Sequence, residues 1–379
     1  MAHVRGEVTD YEIRRFRPRD RAGFLSLYEA VWGRAKGRAW FDWRFEANPY
    51  AERVEIVVAE HRGTVVGAEP MLAFPLATDR GAITARQPVD WIVHPDHRRQ
   101  GIFSEMTTFL LERYDDADLL FNFPNDALRP GLEQFDWTVA GEVSMSYRVQ
   151  RPSFLLSLSG SGGALEGVLS TTLDAGANAA VALLDRVGTP PSDVTVERHS
   201  DVPVETLADL YASTVPERIH VPRDEAFLDW RFGNPRWDTT TYIALRDGTP
   251  VGSVVAATEQ YGTCVRTHLL DVQPMDGFGS GTSPDVFEAL LSAVVTDHRS
   301  VDVLRAPTMG SSGLLRRYGF LPDSAFPLSR VVDPSTHVVR PLWDAEHGAP
   351  TTDREFDVDG SGLLDSEAWI LLPADLDIG

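Results

Sequence analysis

The stretch between residues 89 and 106 combines the groups best suited to holding an anion. A strand-like apolar run is followed by a polar loop, and helical spacing begins directly after that loop. The loop reads, in order, Arg98, Arg99, Gln100 and Gly101. The first turn of a helix carries backbone N–H groups without intrahelical partners, and the helix dipole adds partial positive charge there. Because Gly101 admits close approach to the backbone and Ser104 offers a hydroxyl, the stretch predicts a cradle for a pyrophosphate.

Plainer interpretations of the same residues stay open. The loop can serve only to start a helix, with Arg98 and Arg99 as solvated charges. His94 and His97 have a spacing found in metal sites, but the neighbouring sequence lacks further ligands, which favours turn residues. We therefore expect no metal.

The surrounding elements predict how this loop is positioned. Periodicity and turn residues indicate strands at 11–16, 54–60, 64–76, 85–93, 119–123 and 139–149, and helices near 21–31, 40–45, 101–114 and 127–135. This order of strands and helices predicts an α+β fold built on a mixed sheet.

One phrase of the sequence occurs twice. Residues 42–49 and 229–235 both contain Asp-Trp-Arg-Phe followed by Asn-Pro, and a Val-Gly pair follows each copy, at 66–67 and 251–252. A repeat of this length predicts two duplicated domains, each a mostly antiparallel mixed sheet flanked by helices.

The repeated phrase has two interpretations. In the functional one, Arg44 holds an acidic group of a bound molecule and Trp43 stacks on a ring. In the structural one, a short aromatic helix packs on the sheet and Arg44 pairs with Asp42 or a carbonyl. The phrase occurs in both copies although only the first has the anion-binding loop, which favours the structural interpretation.

The predicted domain boundaries are 1–152 for the first copy, 153–193 for a linker and connecting helix, and 194–379 for the second copy. The linker is predicted from a Ser/Gly-rich run at 157–163 and an Ala/Leu-rich helical pattern after it. In the second copy, Asp276 and Asp285 would repel a phosphate. We therefore expect one active site, in the first copy.

Composition narrows the function classes. The formal net charge is -21, and Lys36 is the only lysine. Such a surface argues against binding to nucleic acid or anionic membranes. It is typical of proteins from salt-loving organisms, and a GC-rich codon bias is the alternative. With Cys264 as the single cysteine, no signal-peptide pattern and no apolar run of membrane-spanning length, we expect a cytoplasmic protein.

The strand, loop and helix of residues 89–106 resemble the signature of the GNAT acetyltransferase superfamily, Gln/Arg-x-x-Gly-x-Gly/Ala. Arg98, Gly101 and Phe103 fall on its three defined positions, and Phe103 departs from the small residue usual at the third. The resemblance implies two tandem GNAT-like domains, the second degenerate, and a sheet splayed near its middle with acetyl-CoA in the opening.

By this resemblance, the cofactor would contact the loop with its phosphates and the preceding strand with its pantetheine arm. The implied residues are Arg98, Arg99, Gln100, Gly101, Ile102, Phe103 and Ser104 for the loop, and Trp91, Ile92 and Val93 for the strand. The backbone N–H of Ile92 or Val93 would polarise the thioester carbonyl. Asn122 and Asn125 match positions that often contact the cofactor, and Asx turns are the alternative for both.

The implied reaction is acyl transfer to an amine, which needs a base to take the proton of the amine. Asp90 and Glu69 are the carboxylates on the central strands, and a structural ion pair with an arginine is the alternative for each. Leu132 stands where many members have a tyrosine that acts as the general acid. The acceptor is expected to be a small-molecule amine or a peptide amine, and an oligomer is possible. The alternative function is an inactive module that binds acetyl-CoA or a protein partner.

Overall fold

The computed structural model describes most of the chain. The described residues are 11–78, 81–113, 117–125, 128–151, 193–262, 264–275, 284–308, 312–342 and 362–377. The predicted linker and connecting helix lie almost entirely outside the described residues, so the domain boundaries stay a prediction.

The first copy contains the predicted elements. Its strands are β1 Tyr11–Arg15, β2 Ile56–His61, β3 Thr64–Thr78, β4 Gly81–Pro88, β5 Ile92–Val93, β6 Leu119–Asn122, β7 Thr138–Val143 and β8 Met145–Val149. Its helices are α1 Arg21–Trp32, α2 Arg38–Phe41, α3 Ile102–Arg113 and α4 Arg129–Glu133, and a π-helical turn Asp42–Glu46 follows α2.

The second copy repeats this order. Its strands are β9 Val194–His199, β10 Asp238–Arg246, β11 Thr249–Tyr261, β12 Cys264–Gln273, β13 Val303–Pro307, β14 Leu321–Pro322 and β15 Ser335–Pro341. Its helices are α5 Val204–Ser213, α6 Glu225–Phe232, α7 Pro284–Asp297 and α8 Ser312–Arg317. None of the helices in the described part of the chain is both long enough and apolar enough to span a lipid bilayer.

Two mixed sheets organise these elements. The first has the strand order β1-β2-β3-β4-β6-β15-β7, with β5 paired to β3, and the second has the order β14-β8-β13-β12-β11-β10-β9. The pairs β4–β6 and β12–β13 are parallel, whereas β1–β2, β2–β3, β10–β11 and β11–β12 are antiparallel. The predicted α+β fold with mixed, mostly antiparallel sheets is confirmed.

The segment expected as one strand at 139–149 is instead two strands in different sheets. β7 lies in the first sheet, and β8 pairs with β13 and β14 in the second. Asp323 holds the break, because its carboxylate accepts hydrogen bonds from Ser144 Oγ and from the backbone N–H of Met145 at 2.7 Å. A continuous apolar alternation does not reveal such a change of sheet.

The chain forms two compact units. The first contains the described residues up to Leu76, then Gly81–Asn122, and the end of β15 from Val339. The second contains most of residues 123–338 together with the C-terminal residues from 362 onwards. β8 therefore belongs to the second unit.

The repeated Val-Gly pair marks the place where a helix lies directly against a strand. A Cβ added to Gly67 would lie 3.0 Å from Cγ2 of Ile102 and 3.2 Å from Sδ of Met106, both on α3. A Cβ added to Gly252 would lie 2.9 Å from Cγ1 of Val286 on α7. Glycine is therefore needed in both copies for this close contact.

The two faces of the first sheet carry different helices. A register shift places Gly67 opposite Ala59 and Val65 opposite Glu60. Ala59 and Glu60 are neighbours on β2, so they point to opposite faces of the sheet. Their partners Gly67 and Val65 therefore point to opposite faces as well, because the register shift skips one residue of β3. Gly67 faces α3, whereas Val65 lies 3.1 Å from the position that a Cβ on Gly23 of α1 would take. Thus α3 covers one face and α1 the other.

The Asn-Pro part of the repeated phrase has a structural role in both copies. Asn48 Oδ1 accepts a hydrogen bond from the backbone N–H of Tyr50 at 2.9 Å, and Asn234 Oδ1 accepts one from Arg236 at 3.0 Å. These Asx turns end a helical segment whose aromatic residues are buried, among them Trp43 and Trp230. The structural interpretation holds for this part of the phrase.

We predict that Gly67→Ala lowers stability by about 1–3 kcal/mol, because the added methyl must displace α3 from β3. Unfolding in urea measures the change. Gly313→Ala in α8 is the matched control, since a Cβ there meets nothing within 4 Å. Equal stability of the two variants would contradict the close contact.

Candidate functional site

The predicted anion-binding loop is exposed and opens directly into α3. A 3₁₀ turn, Pro95–His97, leads into it, and Arg99 and Gly101 have left-handed φ angles of 61° and 80°. Arg98, Arg99, Gln100 and Gly101 are all exposed. The backbone N–H of Glu105 donates to Gly101 O at 3.0 Å. The amides of residues 102–104 therefore precede the first i→i−4 hydrogen bond of the helix.

Neighbouring side chains fix both ends of this loop. Ile102 is buried and packs where Gly67 leaves room, and Phe103 meets the ring of Trp91 edge-on at 5.3 Å between centroids. Phe103, the departure from the usual small residue, thus packs on the strand that precedes the loop. Arg98 Nε donates to Val93 O at 3.1 Å.

Tyr11 of β1 also holds the loop, and no pattern in the sequence pointed to this role. Its hydroxyl donates to Gln100 Oε1 at 2.8 Å and lies 2.8 Å from His97 Nδ1. His94 Nδ1 accepts from the backbone N–H of Asp96 at 3.3 Å, as expected for a turn residue. Within the described ranges, no group of three or more His, Cys, Asp or Glu side chains is placed to hold a metal ion.

The strand expected at 85–93 is interrupted beside the loop. β4 pairs with β6 through Ala85–Leu119 and Arg86–Leu120, whereas β5 pairs with β3 through Ile92–Ala68 and Val93–Gly67. Asp90, between the two strands, has a φ of 46°. A left-handed residue redirects the chain, so β4 lies between β3 and β6 before Asp90, and β5 pairs with β3 after it.

The carboxylate of Asp90 lies on the face covered by α1. It accepts a hydrogen bond from the Tyr28 hydroxyl at 3.2 Å and forms an ion pair with Arg44 Nη2 at 3.1 Å. The Asp90 side chain keeps 14% of its surface exposed, whereas that of Arg44 keeps 1%. Arg44 thus contacts the candidate catalytic carboxylate, a contact that the sequence did not predict.

Glu69 lies on the other face, beneath α3. It is fully buried, and Thr107 Oγ1 of α3 donates to its Oε2 at 3.2 Å. Burial raises the pKa of Glu69 to about 8, although the hydrogen bond from Thr107 acts in the opposite direction. The structure therefore does not bring the two candidate carboxylates together.

The two candidate asparagines have separate surroundings. Asn122 is buried at the end of β6. Asn125 Oδ1 accepts a hydrogen bond from the backbone N–H of Leu128 at 3.0 Å, which is the Asx turn given as the alternative. Leu132, at the position of the usual tyrosine, is buried on α4.

Asp90 is part of a cluster of five side chains, which we call the first cluster. Its members are Tyr28, Lys36, Trp40, Arg44 and Asp90. Lys36, the only lysine, is buried, with Nζ 4.7 Å from the centroid of the Trp40 ring and 5.6 Å from that of Tyr28. The cluster thus combines two aromatic rings, two cations and one carboxylate.

The second copy contains a matching set, which we call the second cluster. Its members are Tyr211, Arg223, Phe227, Arg231 and Asp271. Arg223 stands eight residues before Arg231, as Lys36 stands eight before Arg44. Arg223 Cζ lies 4.6 Å from the centroid of the Phe227 ring, so the contact between Lys36 and Trp40 is repeated as well.

Strand pairing establishes that the aspartates correspond. Ile92 pairs with the residue after Gly67, and Gln273 pairs with the residue after Gly252. Asp90 and Asp271 each stand two residues before these partners. Tyr28 and Tyr211 both follow a buried leucine on the helix before the repeated phrase. Lys36 and Arg223 stand at the same distance before the repeated arginine, so the repeat places them at matching positions. Their different residue types concealed this match.

The loop of the second copy that would match residues 98–101 falls largely at 276–283, outside the described residues. Asp285, predicted to repel a phosphate there, lies in the first turn of α7 and forms an ion pair with Arg246.

We predict that Glu69→Gln removes a pH-dependent loss of stability. The ordinary pKa of a glutamate is 4.5, and burial raises that of Glu69 to about 8. Between these pH values only the folded state holds the proton, so the free energy of unfolding falls with rising pH, by about 1.4 kcal/mol per pH unit. The stability of the variant relative to the wild type should therefore rise from pH 5 to pH 8 in urea titrations.

The exposed Glu112→Gln is the matched control on the same helix, and it should follow the wild type at every pH. If the free energy of unfolding changed with pH in the same way for Glu69→Gln and the wild type, Glu69 would be ionised in the folded protein across this range.

Comparison with known proteins agrees with this fold. Residues 12–140 match the family model of an acetyltransferase (GNAT) domain. None of the curated proteins matches the sequence. The chain is similar in structure to a GCN5-related N-acetyltransferase from Anabaena variabilis, with a TM-score of 0.59, 10% identity, and coverage of 88% of this chain and 73% of that one.

Two further structures are similar to this chain. A probable N-acyltransferase from Enterococcus faecalis has a TM-score of 0.59 and 12% identity, and covers 88% of this chain and 73% of its own. A tandem GNAT protein from the clavulanic acid biosynthesis pathway has a TM-score of 0.52 and 14% identity, and the match covers 88% of this chain and 99% of that one. The chain therefore has the fold of tandem GNAT proteins, and its residues 12–140 match the model of the GNAT acetyltransferase domain.

Proposed function

We propose that this protein is an acetyl-CoA-dependent N-acyltransferase whose active site lies in the first copy. One observation carries the proposal: the exposed loop Arg98–Gly101 opens α3, and its amides have the arrangement that binds a diphosphate. A Cβ on Gly101 would meet nothing within 4 Å, so the surface of this turn is open to a ligand. The match of residues 12–140 to the GNAT family supports the proposal.

The residues present fit acetyl-CoA. The amides of residues 101–104 would hold the diphosphate, with Arg98 and Arg99 adding positive charge. The strand from Trp91 to Val93 follows the break at Asp90 and pairs with β3, and its backbone N–H groups would stabilise negative charge on the carbonyl oxygen. Acetyl-CoA would supply the acyl group, activated as a thioester.

Asp90 is the base that we propose for the acceptor amine. An ammonium group has no lone pair, so the amine must lose a proton before it can form the amide bond. Asp90 is the candidate carboxylate that retains exposed surface, and Tyr28 and Arg44 fix its position. We propose that Glu69, which is buried under α3, does not transfer a proton to or from the acceptor. It positions α3 and the loop through its hydrogen bond with Thr107.

The acceptor is proposed to be a small-molecule or peptide amine that approaches from the face covered by α1. Asp90 is directed to that face by Tyr28 and Arg44, whereas the loop opens the helix on the other face. Acceptor and cofactor would then reach the sheet from opposite sides.

We predict that Gly101→Ala weakens coenzyme A binding at least several-fold, because a side chain at φ 80° strains the turn that positions the amides. Isothermal titration calorimetry with coenzyme A measures the affinity. Gly248→Ala is the matched control, since Gly248 has a φ of 76° in the turn before β11 and also has open space around it. Unchanged affinity in Gly101→Ala, or no binding by the wild type, would remove the basis of the proposal.

We predict that Asp90→Asn lowers kcat about 10²–10⁴-fold, because the amide cannot take a proton, while the affinity for coenzyme A stays the same. Release of free thiol over a panel of amines measures turnover. Glu29→Gln, an exposed carboxylate on α1, is the control and should retain full activity. Turnover by Asp90→Asn at the rate of the wild type would assign the base elsewhere. Coenzyme A binding without turnover on any amine would instead indicate a binding module.

A further inference from the structure

An open groove lies between α3 and β1 in the first copy. Its volume is about 370 Å³, at the lower end of the range that is usual for ligand sites. No member of the first or the second cluster lines it. The lining residues are Ile13 of β1 and, on α3, Ser104, Glu105, Thr108, Phe109 and Glu112.

The lining of this groove combines apolar surface with two carboxylates. Ile13 and Phe109 are half-buried, so each leaves part of an apolar side chain open to a bound molecule. Glu105 and Glu112 are exposed, and neither forms an ion pair within the described part of the chain. Seven residues of helix separate them, which places them about 10 Å apart along α3. The groove therefore suits a molecule with two positive charges and an apolar portion.

The strand beside the groove has an open edge. Among the described strands, β1 is last in its sheet and pairs only with β2. The backbone N–H of Phe16 donates to Ile56 O at 2.8 Å, so these two residues are a hydrogen-bonded pair. Such pairs alternate along an antiparallel ladder, and the N–H and C=O groups of Tyr11, Ile13 and Arg15 therefore point away from β2. The edge thus offers backbone donors and acceptors next to the groove.

Ile13 joins these two features. Its backbone belongs to the open edge, and its side chain lines the groove. A peptide strand added to β1 would direct every second side chain towards α3, and these side chains would stand about 7 Å apart. Arginine and lysine side chains are long enough to reach Glu105 and Glu112 from such positions, and their aliphatic parts can pack on Ile13 and Phe109.

We propose that the groove and the edge of β1 bind an extended segment of a partner protein that has arginine or lysine at every second position. The backbone of the segment pairs with Tyr11 and Ile13, and its cations bind Glu105 and Glu112. The net charge of -21 adds long-range attraction for a basic partner. This inference goes beyond the proposed function and does not depend on it.

A short basic peptide tests the binding. The probe is Thr-Arg-Val-Arg-Val-Arg-Thr with fluorescein on its N-terminus and an amide at its C-terminus. Arginine is used instead of lysine, so the peptide offers no amine for acyl transfer. Fluorescence anisotropy with the full chain should show saturable binding, at least ten-fold tighter than for the peptide with glutamate in place of arginine. Equal affinity for both peptides, or no binding of the basic one, would overturn the inference.

Variants of α3 place the peptide in the groove. Replacing both carboxylates, Glu105→Gln with Glu112→Gln, should weaken binding at least three-fold. Thr108→Arg should weaken it as well, because an arginine three residues after Glu105 and four before Glu112 can pair with both. Glu29→Gln on α1 removes an exposed carboxylate away from the groove and should leave the affinity unchanged. The same affinity in all of these variants and the wild type would rule out this groove.

Methylated peptides test the pairing with β1. In a strand at the edge of a sheet, only alternate N–H groups point to the neighbouring strand. One peptide therefore carries N-methyl groups on its valines, and the other carries them on its first and third arginines. Pairing with β1 predicts that their affinities differ at least five-fold. Equal affinities would show that charge alone holds the peptide, which would overturn the proposed strand addition.

Discussion

The close contact between α3 and β3 at Gly67 is the constraint on which the candidate site depends. Because no side chain separates the helix from the strand, Ile102 and Met106 reach the sheet, and the first turn of α3 is held at a fixed distance from β5. The loop that opens the helix is then anchored from three sides, by Val93, Trp91 and Tyr11. An anion site made of backbone amides needs this rigidity, since amides cannot adjust their direction as side chains do. The same contact recurs at Gly252, although the loop that would follow in the second copy has a different sequence.

Much of this arrangement could be predicted from the sequence, and the remainder depends on contacts between distant residues. Strand and helix positions in the first copy follow from periodicity, and the loop at Arg98–Gly101 follows from the order of strand, loop and helix. The break at Asp90 was missed because a left-handed aspartate inside an apolar run looks like an ordinary strand residue. The division of residues 139–149 between two sheets was missed because Asp323, which holds the break, lies far away in the sequence. The sequence places Asp90 and Glu69 on central strands, but only their contacts with Tyr28 of α1 and Thr107 of α3 show that they lie on opposite faces of the sheet.

The duplication explains more of the chemistry than either copy does alone. The repeated arginine was interpreted as structural because it occurs in both copies, and its two environments refine that interpretation. Arg231 binds backbone carbonyls, whereas Arg44 binds the carboxylate of Asp90. The residue type is retained while its partner differs, because a guanidinium has several donors and can bind either a carbonyl oxygen or a carboxylate.

The course of β8 has a consequence for how the duplicated gene can be divided. This strand precedes the predicted linker in the sequence, but it lies between β13 and β14 in the second sheet. A fragment translated from residue 194 onwards would leave β13 with a row of unsatisfied backbone groups, and such edges recruit strands from other chains. The predicted linker at 153–193 therefore does not coincide with the division between the two compact units, because β8, which precedes it, already belongs to the second unit.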